Sequence, residues 1–140
     1  IERLKFNDKH IALDLDGNAG QTVKLLGLLL GKDQATNKTY IGVGLKLLDD
    51  GMTYEQLISA GLDVVLGANA SSLSVVELIW NNLIGPPTPA DNISQYSALI
   101  DNGTYTSAGL AIVAADHSLN TTAIDLVGLA QTGVEYIPYG

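Results

Sequence analysis

Residues 12–21 read Ala12-Leu13-Asp14-Leu15-Asp16-Gly17-Asn18-Ala19-Gly20-Gln21, and this stretch separates two different hydrophobic patterns. Before it, apolar and polar residues alternate roughly as in β-strands. After it, apolar residues recur at the three-to-four-residue spacing of amphipathic helices. Asp, Asn and Gly suit the tight turn and helix start that such a change requires. The stretch therefore predicts a β-to-α junction, which divides the chain into residues 1–20 and residues 21–140.

Two short apolar runs precede this junction. Leu4 and Phe6 share one face of the first run, and Ile11 and Leu13 share one face of the second. The turn-forming residues 7–9 lie between them, so the pattern predicts a short β-hairpin. Because two strands alone are marginal in water, we expect the hairpin to end a sheet or coil that lies upstream in a longer parent chain, with one strand edge left open.

Helical spacing continues almost to the end of the chain, with Gly, Pro or Asp-Gly signals between segments. Thr53 and Gln56 have the spacing of a capping box at the start of the third segment. The predicted helices are 21–31, 37–48, 53–67, 75–84, 90–101, 106–116 and 120–130, followed by an extended tail over 134–138.

The order of these signals repeats along the chain. Gly31 and Gly85 are 54 residues apart, and Gly51 and Gly103, each of which follows a helix, are 52 residues apart. Such spacing is typical of duplicated helical units. We therefore expect a mainly α fold of two helix–turn–helix units, at residues 21–70 and 71–130, with six or seven short helices and a short N-terminal β-hairpin.

Asp14, Asp16 and Asn18 place oxygen-bearing side chains at every second residue of the junction. A short loop of this kind suits Ca²⁺, which takes six to eight oxygen ligands, and Asp8 is a further candidate ligand. The same residue types also form turns and helix caps without any ion. The loop is not an EF-hand, because Leu25 occupies the twelfth position, where an EF-hand has Glu. Both a calcium site and a capping role remain open.

Composition limits the classes of partner. The chain has seven basic residues and a net charge of −8, which argues against binding to nucleic acid or to anionic membrane surfaces. No apolar run approaches the ~20 residues that a membrane span needs, so we expect no membrane insertion. The absence of Cys excludes disulfides and thiolate metal sites. Charged residues make up 16% of the chain, against roughly 25% in an average domain, which favours an extracellular or assembled protein.

No arrangement of residues indicates catalysis. His10 and His117 stand alone, and no nucleophile elbow, zinc-binding helix or phosphate-binding loop occurs in the sequence. We therefore expect a protein that is not an enzyme.

Five Asn-x-Ser/Thr triplets are candidate glycosylation sites, although the same residues also favour helix boundaries. They begin at Asn37, Asn69, Asn92, Asn102 and Asn120.

The opening residues and the paired helices resemble the C-terminal region of bacterial RTX-type secreted proteins. The resemblance covers nearly the whole chain, and it is most specific over the Ile-Glu-Arg-Leu-x-Phe strand and the Ala-Leu-Asp-x-Asp-Gly-x-Ala-Gly-Gln loop. It implies that the hairpin follows a calcium-binding β-roll. It also implies that residues 21–140 form a divergent branch of a helical domain of unknown function, in which 31–33 and 85–87 replace the usual inter-helix signature. Type I secretion and an extracellular or cell-surface location follow from the same resemblance.

These observations favour a non-enzymatic assembly module of an extracellular bacterial protein, which self-associates into a surface layer or fibre. Its low charge, its open strand edge and its surplus of apolar residues all support this hypothesis. The alternative is a secretion and folding module at the end of a larger RTX-like enzyme or adhesin. The expected partners are a second copy of the chain or an upstream domain of the parent.

Overall fold

Helices form most of the structure, a computed structural model that describes residues 3–85 and 93–139. Three strands form one sheet: β1 (Arg3–Lys5), β2 (His10–Ala12) and β3 (Val134–Tyr136). The α-helices of the described ranges are α1 (Asn18–Leu30), α2 (Lys38–Asp49), α3 (Tyr54–Leu66), α4 (Ser72–Leu83), α5 (Ile93–Asp101), α6 (Ser107–Ala115), α7 (Ser118–Ala123) and α8 (Leu126–Thr132). The predicted mainly α class with an N-terminal β-hairpin is confirmed.

Helices α2, α3, α4 and α6 each begin after a residue of a type that favours caps, which is Asn, Thr or Ser. The Thr53 hydroxyl accepts a hydrogen bond from the Gln56 amide, and the Gln56 side chain accepts one from the Thr53 amide, which confirms the predicted capping box. Asn37, Ser71 and Thr106 cap α2, α4 and α6 in the same general way. Each such cap is worth about 1 kcal/mol, so local chemistry sets these helix starts.

Residues 120–130 do not form the single helix that the apolar spacing predicts. Asp125 has a left-handed backbone (φ 54), which ends α7 and begins α8, and its carboxylate accepts a hydrogen bond from the Gly128 amide. The predicted proline-rich connection after Gly85 and the predicted helix start at residue 90 lie outside the described residues.

The third strand comes from the C-terminal segment, which was expected to be an extended tail. β2 lies in the centre of the sheet, paired antiparallel with β1 on one side and with β3 on the other. β3 thus covers the edge of β2 that a two-stranded hairpin would leave open, while the outer edges of β1 and β3 have no strand partner within the described residues. Glu135 on β3 forms ion pairs with Lys9 and Lys38, and the hydrogen bond from Lys38 lowers the pKa of the Glu135 carboxyl.

α1 is the centre of the helical part. It packs against α2, α3, α4, α6 and α7. Val23 and Leu28 on α1, Ile41 on α2 and Ile58 on α3 are fully buried. Ala12 on β2 and Val134 on β3 belong to the same hydrophobic core, so the sheet and the helices share one interior.

The order of the helices is compatible with the predicted duplication, which stays a prediction. α1, α2 and α3 are matched in order by α4, α5 and α6, and the two sets meet where α1 packs against α4 and α3 packs against α6. Gly51 and Gly103, which follow α2 and α5, both have a positive φ.

None of the described helices is long and apolar enough to cross a membrane.

The segment after β3 lies directly on α2. The Ile137 amide donates a hydrogen bond to the Lys38 carbonyl, and a Cβ atom built on Gly42 would lie 1.7 Å from the Ile137 carbonyl oxygen. Any side chain at position 42 therefore requires the segment to move.

We expect Gly42→Ala to lower the free energy of unfolding by about 1–3 kcal/mol, because the added methyl group overpacks a backbone contact. Thr39→Ala, an exposed change on the same helix, is the control and should stay within about 0.5 kcal/mol of the unchanged chain. Urea denaturation measures both. Equal stability of the two variants would contradict the packing of this segment on α2.

Candidate functional site

The loop between β2 and α1 is organised by Asp14, which is 9% exposed. Its Oδ2 atom accepts a hydrogen bond from the Ala19 amide in the first turn of α1, and its carbonyl oxygen accepts from the amides of Gly17 and Gly20. A Cβ atom on Gly20 would lie 1.9 Å from the Leu15 carbonyl oxygen, so only glycine fits there. Asp14 therefore caps α1 from outside the helix, and this capping lets α1 begin at Asn18, three residues before the predicted start.

Arg3 connects this loop to the end of α2. Its Nη2 atom lies 3.3 Å from Asp14 Oδ2 and 3.1 Å from Asp49 Oδ1. Asn18 donates a second hydrogen bond to Asp49 Oδ1 at 2.8 Å. A guanidinium group thus supplies positive charge between two carboxylates, and the cluster joins β1, the loop, α1 and α2.

The structure does not gather the candidate calcium ligands into one cage. Asp8 and Asp16 are exposed, and Asn18 contacts Asp49. Within residues 3–85 and 93–139, no group of three His, Cys, Asp or Glu side chains is placed to hold a metal ion. The Asp14 Oδ1 atom is nevertheless buried without a hydrogen-bond partner in the described part of the chain. This oxygen is compatible with an ion, and the calcium site stays a prediction.

Both histidines have structural contacts. The His10 ring lies against the Tyr136 ring, with centroids 5.6 Å apart. His117 caps α7, because its Nδ1 atom accepts a hydrogen bond from the Leu119 amide.

Tyr54 is a partly buried titratable group that the sequence analysis did not single out. Burial raises the pKa of the Tyr54 hydroxyl well above its usual value, and the Asp116 carboxylate contributes in the same direction. Lys24 pairs with Asp116 at 2.7 Å and lies 5.7 Å from the centre of the Tyr54 ring. These contacts stabilise the packing of α1 against α3 and α6.

The candidate glycosylation residues differ in access. Asn69 and Asn102 are exposed, and Asn37 caps α2. Asn120 is 2% exposed, and its amide donates hydrogen bonds to the carbonyl oxygens of Lys24 and Ala115. A glycan on Asn120 is therefore incompatible with this fold. Asn92 lies outside the described residues.

Two apolar grooves lie on the helical part of the chain. The N-terminal groove, of about 380 Å³, lies among α1, α2 and α3, and its principal residues are Leu26, Leu30, Tyr40, Val43, Leu57 and Val64. The C-terminal groove, of about 240 Å³, lies among α4, α5 and α6, and its principal residues are Trp80, Ile84, Tyr96, Leu110, Val113 and His117.

Several groove residues remain exposed despite their size. Val64 is 85% exposed, Ile84 is 58% exposed and Val113 is 50% exposed. Composition predicts a surplus of apolar surface, but the place where that surplus collects depends on how the helices pack.

No protein-family model, curated protein sequence or solved structure matches this chain.

We expect Asp14→Ala to lower the free energy of unfolding by about 2 kcal/mol or more, because it removes a helix cap and a largely buried partner of Arg3. Asp16→Ala is the matched control: Asp16 is exposed in the same loop, so the change should be within about 0.5 kcal/mol. Urea denaturation of both variants tests this. Similar losses would show that Asp14 has no special structural role.

Proposed function

We propose that this protein is a non-enzymatic assembly module that self-associates into a fibre or surface layer. The observation that supports this proposal is the collection of exposed apolar side chains in two grooves. Burying one Val, Leu, Ile or Phe side chain from water contributes about 1.5–3 kcal/mol. Large apolar patches rimmed by polar residues mark interaction sites in soluble proteins.

Charge favours contact through the same surfaces. The chain carries a net charge of −8, so two copies repel each other over much of their surface. The principal residues of both grooves include no Asp, Glu, Lys or Arg. Two copies that meet at the grooves therefore bring together lining residues that carry no like charges.

An extracellular bacterial location belongs to this proposal. It rests on the resemblance of residues 1–21 to RTX-type secreted proteins and on the 16% content of charged residues. A surface layer or fibre is an assembly in which weak contacts are repeated many times.

We expect the average mass of the chain in solution to rise above that of the monomer as concentration increases. Added salt should strengthen this association, since it screens the repulsion between acidic copies. Multi-angle light scattering over a concentration series measures the mass, at low and at moderate salt. A chain that stays monomeric at the highest soluble concentration under both conditions would refute the proposal.

Calcium is proposed as a structural ion at the Asp14 loop. Asp14 Oδ1 is a buried oxygen without a hydrogen-bond partner in the described part of the chain. Asp16 and Asn18 follow Asp14 in the same loop and the start of α1. Waters would complete the coordination. Because the positive charge of Arg3 lies 3.3 Å from Asp14 Oδ2, the affinity should be weak, in the range of about 10⁻⁴–10⁻³ M that extracellular calcium modules show.

We expect millimolar calcium to raise the melting temperature of the unchanged chain by a few degrees, because it binds only the folded loop. Asp16→Asn should abolish most of this rise without lowering stability in chelator, since Asp16 is exposed. Asp63→Asn, an exposed change on α3, is the control and should keep the full rise. Thermal unfolding with calcium and with chelator decides between a bound ion and a purely capping loop.

A further inference from the structure

The two grooves are built from equivalent positions of the two repeats. All five α1 residues that line the N-terminal groove have a counterpart, 54 positions later in or just after α4, that lines the C-terminal groove. Three of these pairs are Leu25 and Ile79, Leu26 and Trp80, and Leu30 and Ile84. One wall of each groove therefore comes from the same face of the same helix of the repeat.

A second wall of each groove also comes from equivalent positions of the two repeats. Four of the five α3 residues in the N-terminal groove have a counterpart, 53 positions later, in or just after α6. They include Leu57 with Leu110, and Val64 with His117. The third wall of each groove includes an exposed tyrosine, Tyr40 on α2 and Tyr96 on α5.

This equivalence changes how the exposed side chains should be interpreted. A single open groove can result from imperfect packing at one place in a fold. Here the same positions stay open in both repeats, even though Leu26 in one corresponds to Trp80 in the other. The open apolar groove is thus a property of the repeated unit, and the chain carries two equivalent grooves.

We propose that each groove binds a groove of a second copy of this chain, so that every chain has two equivalent self-association sites. This inference rests on the proposed assembly function and names the surfaces that perform it. In the contact, exposed rim residues of one copy, such as Leu30 and Tyr40 or Ile84 and Tyr96, enter the groove of another copy.

Charge argues for a second copy as the occupant. The residues that line both grooves include no Asp, Glu, Lys or Arg, and His117 is their one titratable side chain apart from the two tyrosines. A charged peptide or a nucleic acid would find no partner for its charges there. A second copy presents a surface of the same apolar character, and the residues that line the two grooves bring no like charges together.

Size indicates how strong one contact is. A stable interface takes about 20–30 residues from each partner, whereas 11 residues line the C-terminal groove and 14 line the N-terminal groove. One contact between copies is therefore weak and depends on concentration. A chain with one site could form only dimers, whereas a chain with two sites can bind a neighbour on each side and grow in a line.

Single variants separate the two sites. Val64→Asp places a charge in the N-terminal groove, and Val113→Asp places one in the C-terminal groove. Because Val64 is 85% exposed and Val113 is 50% exposed, both changes should leave the fold intact. Val127→Asp is the matched control, since Val127 on α8 is 75% exposed and lines neither groove. Circular dichroism and thermal unfolding confirm folding, and Ile84→Lys replaces Val113→Asp if that variant unfolds.

Sedimentation velocity over a concentration series then reads the assembly state. The unchanged chain and the control should form assemblies larger than dimers. Each single variant should form dimers but nothing larger, and the double variant should be monomeric. Single variants that assemble like the unchanged chain, single variants that are both monomeric, or a control that dissociates would overturn the two-site inference. An unchanged chain that is itself monomeric would instead refute the proposed assembly function.

Discussion

The hydrogen bond from the Ala19 amide to the Asp14 carboxylate fixes the position of α1, and the rest of the structure depends on α1. This helix contacts five other helices, so its start determines where most of the core lies. The same carboxylate pairs with Arg3 on β1, and Arg3 reaches Asp49 at the end of α2. One acidic side chain thus links the sheet to the start of α1.

Local chemistry explains most of what the sequence predicts correctly. Thr53 and Gln56 form a capping box because both partners lie within four residues, and Thr106 caps α6 for the same reason. The break at Asp125 was missed because aspartate seldom adopts a left-handed backbone and apolar spacing does not report it. The pairing of β3 with β2 was missed because it joins residues more than 120 positions apart.

The candidate sites likewise combine residues that stand out in the sequence with partners that only the folded chain brings near. Asp14 stands out in the sequence, but its partners Arg3 and Asp49 become visible only when β1 and α2 are in place. Composition predicts excess apolar surface, yet a groove forms only where helix packing leaves space between three elements. Gly31 corresponds to Gly85, and Gly51 corresponds to Gly103, which indicates two repeat units. Only the structure shows that equivalent positions of the two units line an open groove.

The order of the sheet has a mechanical consequence. Because β1 and β3 both run antiparallel to β2, they run parallel to each other, with Arg3 and Val134 at one end of the sheet and Lys5 and Tyr136 at the other. Tension applied to the chain before Arg3 and after Tyr136 therefore pulls the two outer strands in opposite directions along their axes. The backbone hydrogen bonds between strands lie across this direction, so they share the load at once rather than opening one by one. Force applied to the chain at these two points would therefore load three short strands in shear, while the helices between β2 and β3 carry little of it.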